Sequence, residues 1–229
     1  ETTGGLVKRD KITEIAIVLH DGEKVIEQYQ TLINPERSIP AFITGLTGIT
    51  NEMVADAPLF CEVAKEIVLK TEGAVFVAHN ARFDYGFLRE EFARLGYAYT
   101  RKQLCTVRLS KKMLPQLKSH SLDSLIRHFD LAVDKRHRAL DDALATAEVF
   151  KIITGMGKGQ SEMSDIINMG IKEAKLPTTI SLQFIHDLPE APGVYYFHDA
   201  DGKVIYVGKS IHIKKRVIQH FTEISNKSG

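Results

Sequence analysis

Ala78-His79-Asn80-Ala81-Arg82-Phe83-Asp84 is the stretch on which the reading of the fold turns. Just before it, residues 74–78 (AVFVA) form a short, wholly apolar run of the kind a buried strand carries. Just after it, Phe87, Leu88, Phe92 and Leu95 recur at helical spacing through residues 83–95, and Gly96 supplies a stop. A strand thus passes into a helix through a polar turn, and the turn brings a carboxylate, Asp84, to the start of the helix.

Upstream, residues 11–19 (KITEIAIVL) and 24–33 (KVIEQYQTLI) are rich in β-branched and apolar types and flank an Asp21-Gly22 turn. That pattern predicts a hairpin. Residues 34–56, with Pro35, Pro40, Gly45 and Gly48, read as loop. Residues 58–71 place Phe60, Val63, Ala64, Ile67 and Val68 on one helical face, and Gly73 ends the run. Downstream, residues 122–129 and 139–153 read as two more helices, the second closed by Gly155. Strands interspersed with helices, beginning with a hairpin, predict an α/β domain built on a mixed sheet.

The texture changes at residues 155–161 (GMGKGQS), a Gly-rich link. A short amphipathic helix is expected over 165–174, stopped by Pro177. Two strand-like runs, 193–197 and 204–207, then flank an Asp201-Gly202 turn and predict a second hairpin. The expected organisation is a domain over 1–155, a linker with a short helix over 156–180, and a second, partial domain over 181–229.

Hydrophobic residues are 44% and charged residues 26% of the 229, the mix of a soluble globular chain long enough to bury a core. Cys61 and Cys105 lie far apart with no CxxC, so neither a disulfide framework nor a zinc site is expected and the setting reads as cytoplasmic. A formal net charge of +1 announces no polyanion partner, but a nuclease must set carboxylates beside phosphates, and those offset its basic residues. No apolar run approaches the roughly 20 residues that span a bilayer, and no signal peptide is evident, so no membrane partner is expected. The first residue is Glu1 rather than Met, so the natural chain is expected to be processed or to continue upstream.

The chemistry lies in carboxylates near strand ends and helix starts. Hydrolysis of a phosphodiester needs an activated water and charge relief on the leaving oxygen, which two divalent cations about 3.5–4 Å apart can supply. Hard cations take oxygen ligands, so acids from separate elements must converge. Glu1 precedes the hairpin, Asp84 opens one helix and Asp142 another. Singly, each has an ordinary explanation: for Asp84 and Asp142, an acid in a helix's first turn gains about 0.3–1 kcal/mol from the helix dipole, and Glu1 alone reads as a solvated terminus. A lone His137 is likewise an ordinary surface or core histidine. The pattern gains force as a set.

That set resembles the DEDD exonuclease superfamily in its histidine branch, the family of the bacterial DNA polymerase III epsilon proofreading subunit. Glu1-Thr2-Thr3-Gly4 matches the second half of its Asp-x-Glu-Thr-Thr-Gly motif. His79, Asn80, Phe83 and Asp84 match His-Asn-x-x-Phe-Asp, and His137, Ala139 and Asp142 match His-x-Ala-x-x-Asp. Gly48-Ile49-Thr50 and Ser121-Leu122-Asp123 stand as further landmarks, and the likeness covers residues 1–153 in order. A tyrosine-branch member would carry Tyr at position 138, which is Arg here.

The resemblance implies a ribonuclease H-like, mixed-sheet fold and a 3′→5′ exonuclease. Glu1, Asp84 and Asp142 would hold two Mg²⁺ or Mn²⁺ ions, and His137 would take a proton from the attacking water. An ordinary histidine, titrating near about 6.5, suits that task. Thr2 and Thr3 would touch the terminal nucleotide, Asn80 would lie near it, and Leu46, Ile49 and Phe83 would pack on its base, although core packing explains these three as well. Family spacing selects Asp142 over its neighbour Asp141. The first motif's Asp, two positions before the Glu, is not in the sequence, so an upstream extension carrying it and its strand is expected.

Gly193-Val194-Tyr195, Tyr206-Val207-Gly208, Lys209 and Arg216, the last in a helix expected over 211–221, resemble a GIY-YIG nuclease, in the manner of the excision-repair incision endonuclease. That likeness implies that Tyr195, Tyr206, Lys209 and Arg216 line a second site. The family's metal-binding Glu has no counterpart, so this domain is expected to be truncated and without cleavage activity. Expected partners are single-stranded DNA or DNA 3′ ends, in repair more than replication. RNA 3′ ends on the same fold and a catalytically silent nucleic-acid-binding module are the competing readings. Lys102, Lys111, Lys112, Lys118, Lys135, Arg136 and Arg138 are the basic residues that could face nucleic acid.

Overall fold

A computed structural model describes residues 1–133, 137–156, 179–180, 182–189 and 191–222. The chain divides into two compact units, Glu1–Ile167 and Asn168–Gly229. The helix expected over 165–174 and the basic residues Lys135 and Arg136 lie outside the described residues.

The first unit opens with the expected hairpin, β1 (Glu14–His20) antiparallel to β2 (Val25–Leu32). Its turn is held by Asp21, whose Oδ1 accepts the N–H groups of Glu23 and Lys24, both at 2.9 Å. The loop expected over 34–56 instead contains two short helices, α1 (Ala41–Thr47) and α2 (Asn51–Ala55). Here proline and glycine punctuate helices rather than dissolve them. Pro40 caps the start of α1, Gly48 closes it in the left-handed conformation at φ 73°, and the Thr50 hydroxyl accepts the Met53 N–H to start α2.

Helix α3 (Phe60–Lys70) buries Phe60, Val63, Ala64 and Ile67, the stripe read from the sequence. It leads to β3 (Val75–Ala78), α4 (Ala81–Arg94) and β4 (Lys102–Cys105), with β3 and β4 parallel and α4 as their crossover. The sequence reading missed β4 and the following α5 (Thr106–Met113) because β4 is only four residues long and shows no clean alternation. Helices α6 (Leu122–His128) and α7 (Ala139–Gly155) follow as expected. The unit is α/β, and among the described residues the antiparallel pair β1–β2 and the parallel pair β3–β4 form two separate two-stranded sheets rather than the one mixed sheet expected, because no described strand bridges them. Among the described residues three apolar clusters fill the unit: Ile12, Ile15, Ile33 and Phe87 among others between the hairpin, α3 and α4, Leu104, Leu109, Leu125 and Val149 among others beneath α5–α7, and a smaller one of Ile39, Ile43, Ile49 and Val54 around α1 and α2.

The second unit holds α8 (Leu182–Asp187), the antiparallel pair β5 (Gly193–His198) and β6 (Val204–Ser210), and α9 (Ile213–Thr222). Its small core is Ile185, Tyr195, Val217 and Phe221. Tyr195 lies across its strand partner Gly208 so closely that any side chain at 208 would overlap the phenol. We therefore expect Gly208→Ala to expel Tyr195 and speed amide exchange across β5 and β6 while leaving the first unit unchanged. Hydrogen–deuterium exchange read by mass spectrometry checks this, and unchanged protection of both strands would contradict the packing.

Candidate active site

Three elements deliver the acids. Glu1 is fixed by backbone pairing to the start of β1: its N donates to Glu14 O at 2.7 Å and its O accepts from Thr13 N at 2.9 Å. Thr2 continues this as an antiparallel bridge to Ile12. The turn between β3 and α4 is tight because Asn80 takes the left-handed conformation (φ 72°), which a short polar side chain tolerates. That turn puts Asp84 in the first turn of α4. His79 braces it, bonding Thr106 Oγ1 at 2.9 Å through Nδ1 and His120 O at 3.0 Å through Nε2. Asp142 comes from the first turn of α7.

All three acids line one cleft of about 1090 Å³, together with Thr2, Asn80, Phe83 and Ala139. Residues 16–20 and 74–78, from β1 and β3 and the residues beside β3, also line it. Asp141 instead lines a separate pocket with Asp130 and Glu148, so the two adjacent acids face different spaces.

The Asp84 surface opens on the cleft, yet the protein packed around it disfavours charge. Burial pushes its carboxyl up to about 6, opposed by the Glu1 amino group and aided by the Glu1 carboxylate. Cleft water softens this effect without reversing its direction. A carboxyl held back from ionising beside a second acid suits a site that takes up positive charge. Among the described residues, no three acid, His or Cys side chains converge tightly enough to enclose a metal ion. Mg²⁺ does not require such a cage: one or two carboxylates, with water and substrate phosphate completing the shell, are its usual protein ligands. The donor set therefore fits hard divalent cations.

Other residues singled out in the sequence sit elsewhere. His137 is half-buried, lies outside the cleft lining and adopts φ 62°, a left-handed conformation that costs a non-glycine residue about 1–3 kcal/mol and persists only where its surroundings impose it. Thr3 is 2% exposed and its hydroxyl accepts the Lys11 N–H at 3.0 Å, so it braces the loop below the cleft. Leu46 is 51% exposed on α1, away from the cleft lining. Ile49 is fully buried among Ile39, Ile43 and Val54, which corrects its placement on a terminal base: its side chain is spent on core packing.

Sequence reading missed Glu14. Its side chain is completely buried and lies against four donors: Arg138 Nη2 at 2.7 Å and Nε at 3.2 Å, Ala139 N at 2.9 Å and Gln30 Nε2 at 2.9 Å. Burial raises its carboxyl, but these donors together hold it below the ordinary value, so it stays ionised. Arg138, read as a nucleic-acid contact, is instead committed to this ion pair. The only sequence signal was an acid amid the apolar run of β1.

In the second unit, Tyr195 OH lies 2.8 Å from His220 Nε2, and the Tyr206 ring stands 4.9 Å from that of His220. Burial raises the Tyr195 phenol, Tyr206 raises it further, and the nearby Arg216 guanidinium lowers it, so Tyr195, Tyr206 and Arg216 share one neighbourhood. Lys209 pairs with Val194, one step out of phase with the Tyr195–Gly208 pair, which puts it on the opposite face of the hairpin. His220 was missed, although its place four residues after Arg216 puts both on one helix face.

Asp84 generates a pH prediction. Its folded value lies above the unfolded one, so between about 4 and about 6 the folded chain keeps a proton that the unfolded chain has released. Through this residue, metal-free stability falls as pH rises across that window and is level above it. Asp84→Asn is expected to remove that component, and Tm measured against pH in EDTA for both proteins checks it. A wild-type-minus-variant difference in Tm that stays flat or rises across the window would contradict the assignment.

Residues 1–150 match the exonuclease family model, and residues 191–228 match the UvrC-like GIY-YIG domain model. A Mycobacterium tuberculosis protein named as a candidate bifunctional exonuclease/endonuclease is 37% identical over 96% of this chain, which spans 36% of that protein. The 3′-5′ exonuclease DinG of Bacillus subtilis is 41% identical over 66% of this chain, which covers 16% of DinG. The chain thus corresponds to a minor part of the length of these relatives. Exonuclease X, solved with 5′ overhanging duplex DNA, superposes with a TM-score of 0.58 at 29% identity, covering 72% of this chain and 95% of that one. Among the described residues no helix is long and apolar enough to cross a membrane. With its motif acids in order and lining one cleft, the chain belongs to the exonuclease family of nuclease hydrolases, in its DEDD group, and its residues 191–228 match a UvrC-like GIY-YIG domain.

Proposed function

We propose that the first unit is a metal-dependent 3′→5′ exonuclease that releases nucleotides from DNA 3′ ends. The observation that carries this reading is that Glu1, Asp84 and Asp142, from three separate elements, line one cleft, while Asp141 lines a different pocket. These three acids would hold two Mg²⁺ or Mn²⁺ ions. Bound there, the ions supply charge relief on the phosphate and lower the pKa of the attacking water.

The chain's own residues do the rest. Thr2, Asn80 and Phe83 line the cleft and would seat the terminal nucleotide, Phe83 offering an aromatic face backed by Phe87 at 5.0 Å. His137 accepts the proton of the attacking water and so acts as general base. It stands two residues before Ala139 on the cleft wall, and catalytic contacts of this kind commonly tighten only when substrate binds. Glu1 pairs antiparallel to β1, so an aspartate two positions ahead of it would continue that pairing along the cleft and share a strand face with Glu1. DNA as substrate is favoured by the likeness to Exonuclease X, solved with DNA. A role in repair is favoured by the exonuclease/endonuclease pairing in the mycobacterial relative's name.

The test is a 5′-labelled single-stranded DNA oligonucleotide with Mg²⁺, treated with the chain as it stands and with a form extended upstream to carry that aspartate. A ladder shortening from the 3′ end is expected, abolished by Asp84→Ala and by Asp142→Asn but retained in Asp141→Asn. His137→Ala should slow it by about 10²–10⁴-fold, the usual contribution of a general base. Absence of shortening in either form, with Mn²⁺ as well as Mg²⁺, would overturn the DNA reading, and an RNA oligonucleotide run alongside would show whether the sugar is the error.

A further inference from the structure

Glu14 belongs to none of the motif positions, yet it touches the supports of three of them. Its backbone exchanges hydrogen bonds with Glu1, as acceptor from Glu1 N at 2.7 Å and as donor to Glu1 O at 3.4 Å. Its side chain receives Arg138 and the Ala139 N–H, the two residues that follow His137. Arg138 stands in extended conformation at the N-cap of α7, without a side-chain cap of its own. The Ala139 N–H is one of the donors that a helix start leaves unsatisfied, and here a carboxylate from a different strand satisfies it. Asp142 lies one turn along, its N–H bonded to Arg138 O at 3.0 Å.

We propose that Glu14 is a positioning residue for the reaction: it fixes the hinge on which His137 approaches the cleft. The inference rests on His137 serving as general base. Glu14 is a poor candidate for a metal ligand, because Arg138, Ala139 and Gln30 already occupy both its oxygens. The left-handed backbone at His137 needs something to impose it, and the residues immediately after it are held in two places by a wholly buried carboxylate. With the clamp closed, Arg138 and the start of α7 stay fixed, the left-handed backbone of residue 137 is held, and the ring reaches the cleft by its side-chain torsions alone. With it open, the peptide carrying the ring is free to relax, and the base loses its approach while the cleft's acids remain.

Glu14→Gln and Arg138→Lys test this in whichever form of the chain shortens DNA, each alone and combined with His137→Ala. Alone, each should lower kcat by at least about 10-fold, within the range a general base contributes, with KM changed by no more than about 3-fold. Combined with His137→Ala, neither should lower kcat further, because the residue it positions is gone. Losses that multiply would overturn the proposal and make the clamp a general prop. Arg138→Lys carries the comparison if Glu14→Gln does not fold. Hydrogen exchange over residues 137–142 is the readout independent of activity: it should quicken in both variants. Unchanged exchange there would overturn the clamp, whereas quickened exchange in a chain that cuts no DNA would locate the failure in the exonuclease reading.

Discussion

The carboxylate of Glu14, buried between the first strand and the last helix of the exonuclease unit, ties together parts of the site that are far apart in sequence. Its backbone holds Glu1, and its side chain holds Arg138 and Ala139, some 124 residues further on. An ionised carboxylate at such depth is tolerable only because its oxygens are met by a guanidinium, a peptide N–H and an amide. Removing one partner would leave a buried charge uncompensated, typically a cost of about 3–5 kcal/mol. The same ion pair ties the start of α7 to β1, while Asp142, one turn further on, is held by α7's own backbone, its N–H bonded to Arg138 O.

The cleft lies where elements begin and end. Asp84 reaches it because Asn80 accepts a left-handed turn and because His79 ties the end of β3 to Thr106 and the segment before α6. These bonds explain why the stretch from Ala78 to Asp84 was so informative: a strand end, a tolerant turn residue, a brace and an acid that lines the cleft occupy seven consecutive positions. The separation of Asp141 from Asp142 follows from helix geometry, since neighbours on a helix face directions about 100° apart.

Much of this was legible in the sequence. The hairpin, α3, the β3–α4 turn, α6 and α7 followed from periodicity and turn residues. The helices α1 and α2 did not, because their prolines and glycines sit at caps, where they stop helices without preventing them. For the candidate site, residue type and spacing singled out three acids that line one cleft but could not tell which neighbouring side chains face it. Thr3 and Ile49 match a motif and a landmark, yet both are buried and engaged elsewhere. Glu14 and His220 were invisible for a complementary reason: each acts through a partner distant in sequence or on another element, Arg138 for one and Tyr195 for the other.

The central claim is that Glu1, Asp84 and Asp142 form one cation site and that Asp141 stands outside it. Titration of ¹⁵N-labelled chain with Mn²⁺, followed by amide NMR, reads this without reference to turnover. Broadening centred on the amides around Glu1, Asp84 and Asp142, lost in Asp84→Asn and kept in Asp141→Asn, is the predicted result. Broadening centred on Asp130, Asp141 and Glu148, or unaffected by Asp84→Asn, would contradict the account.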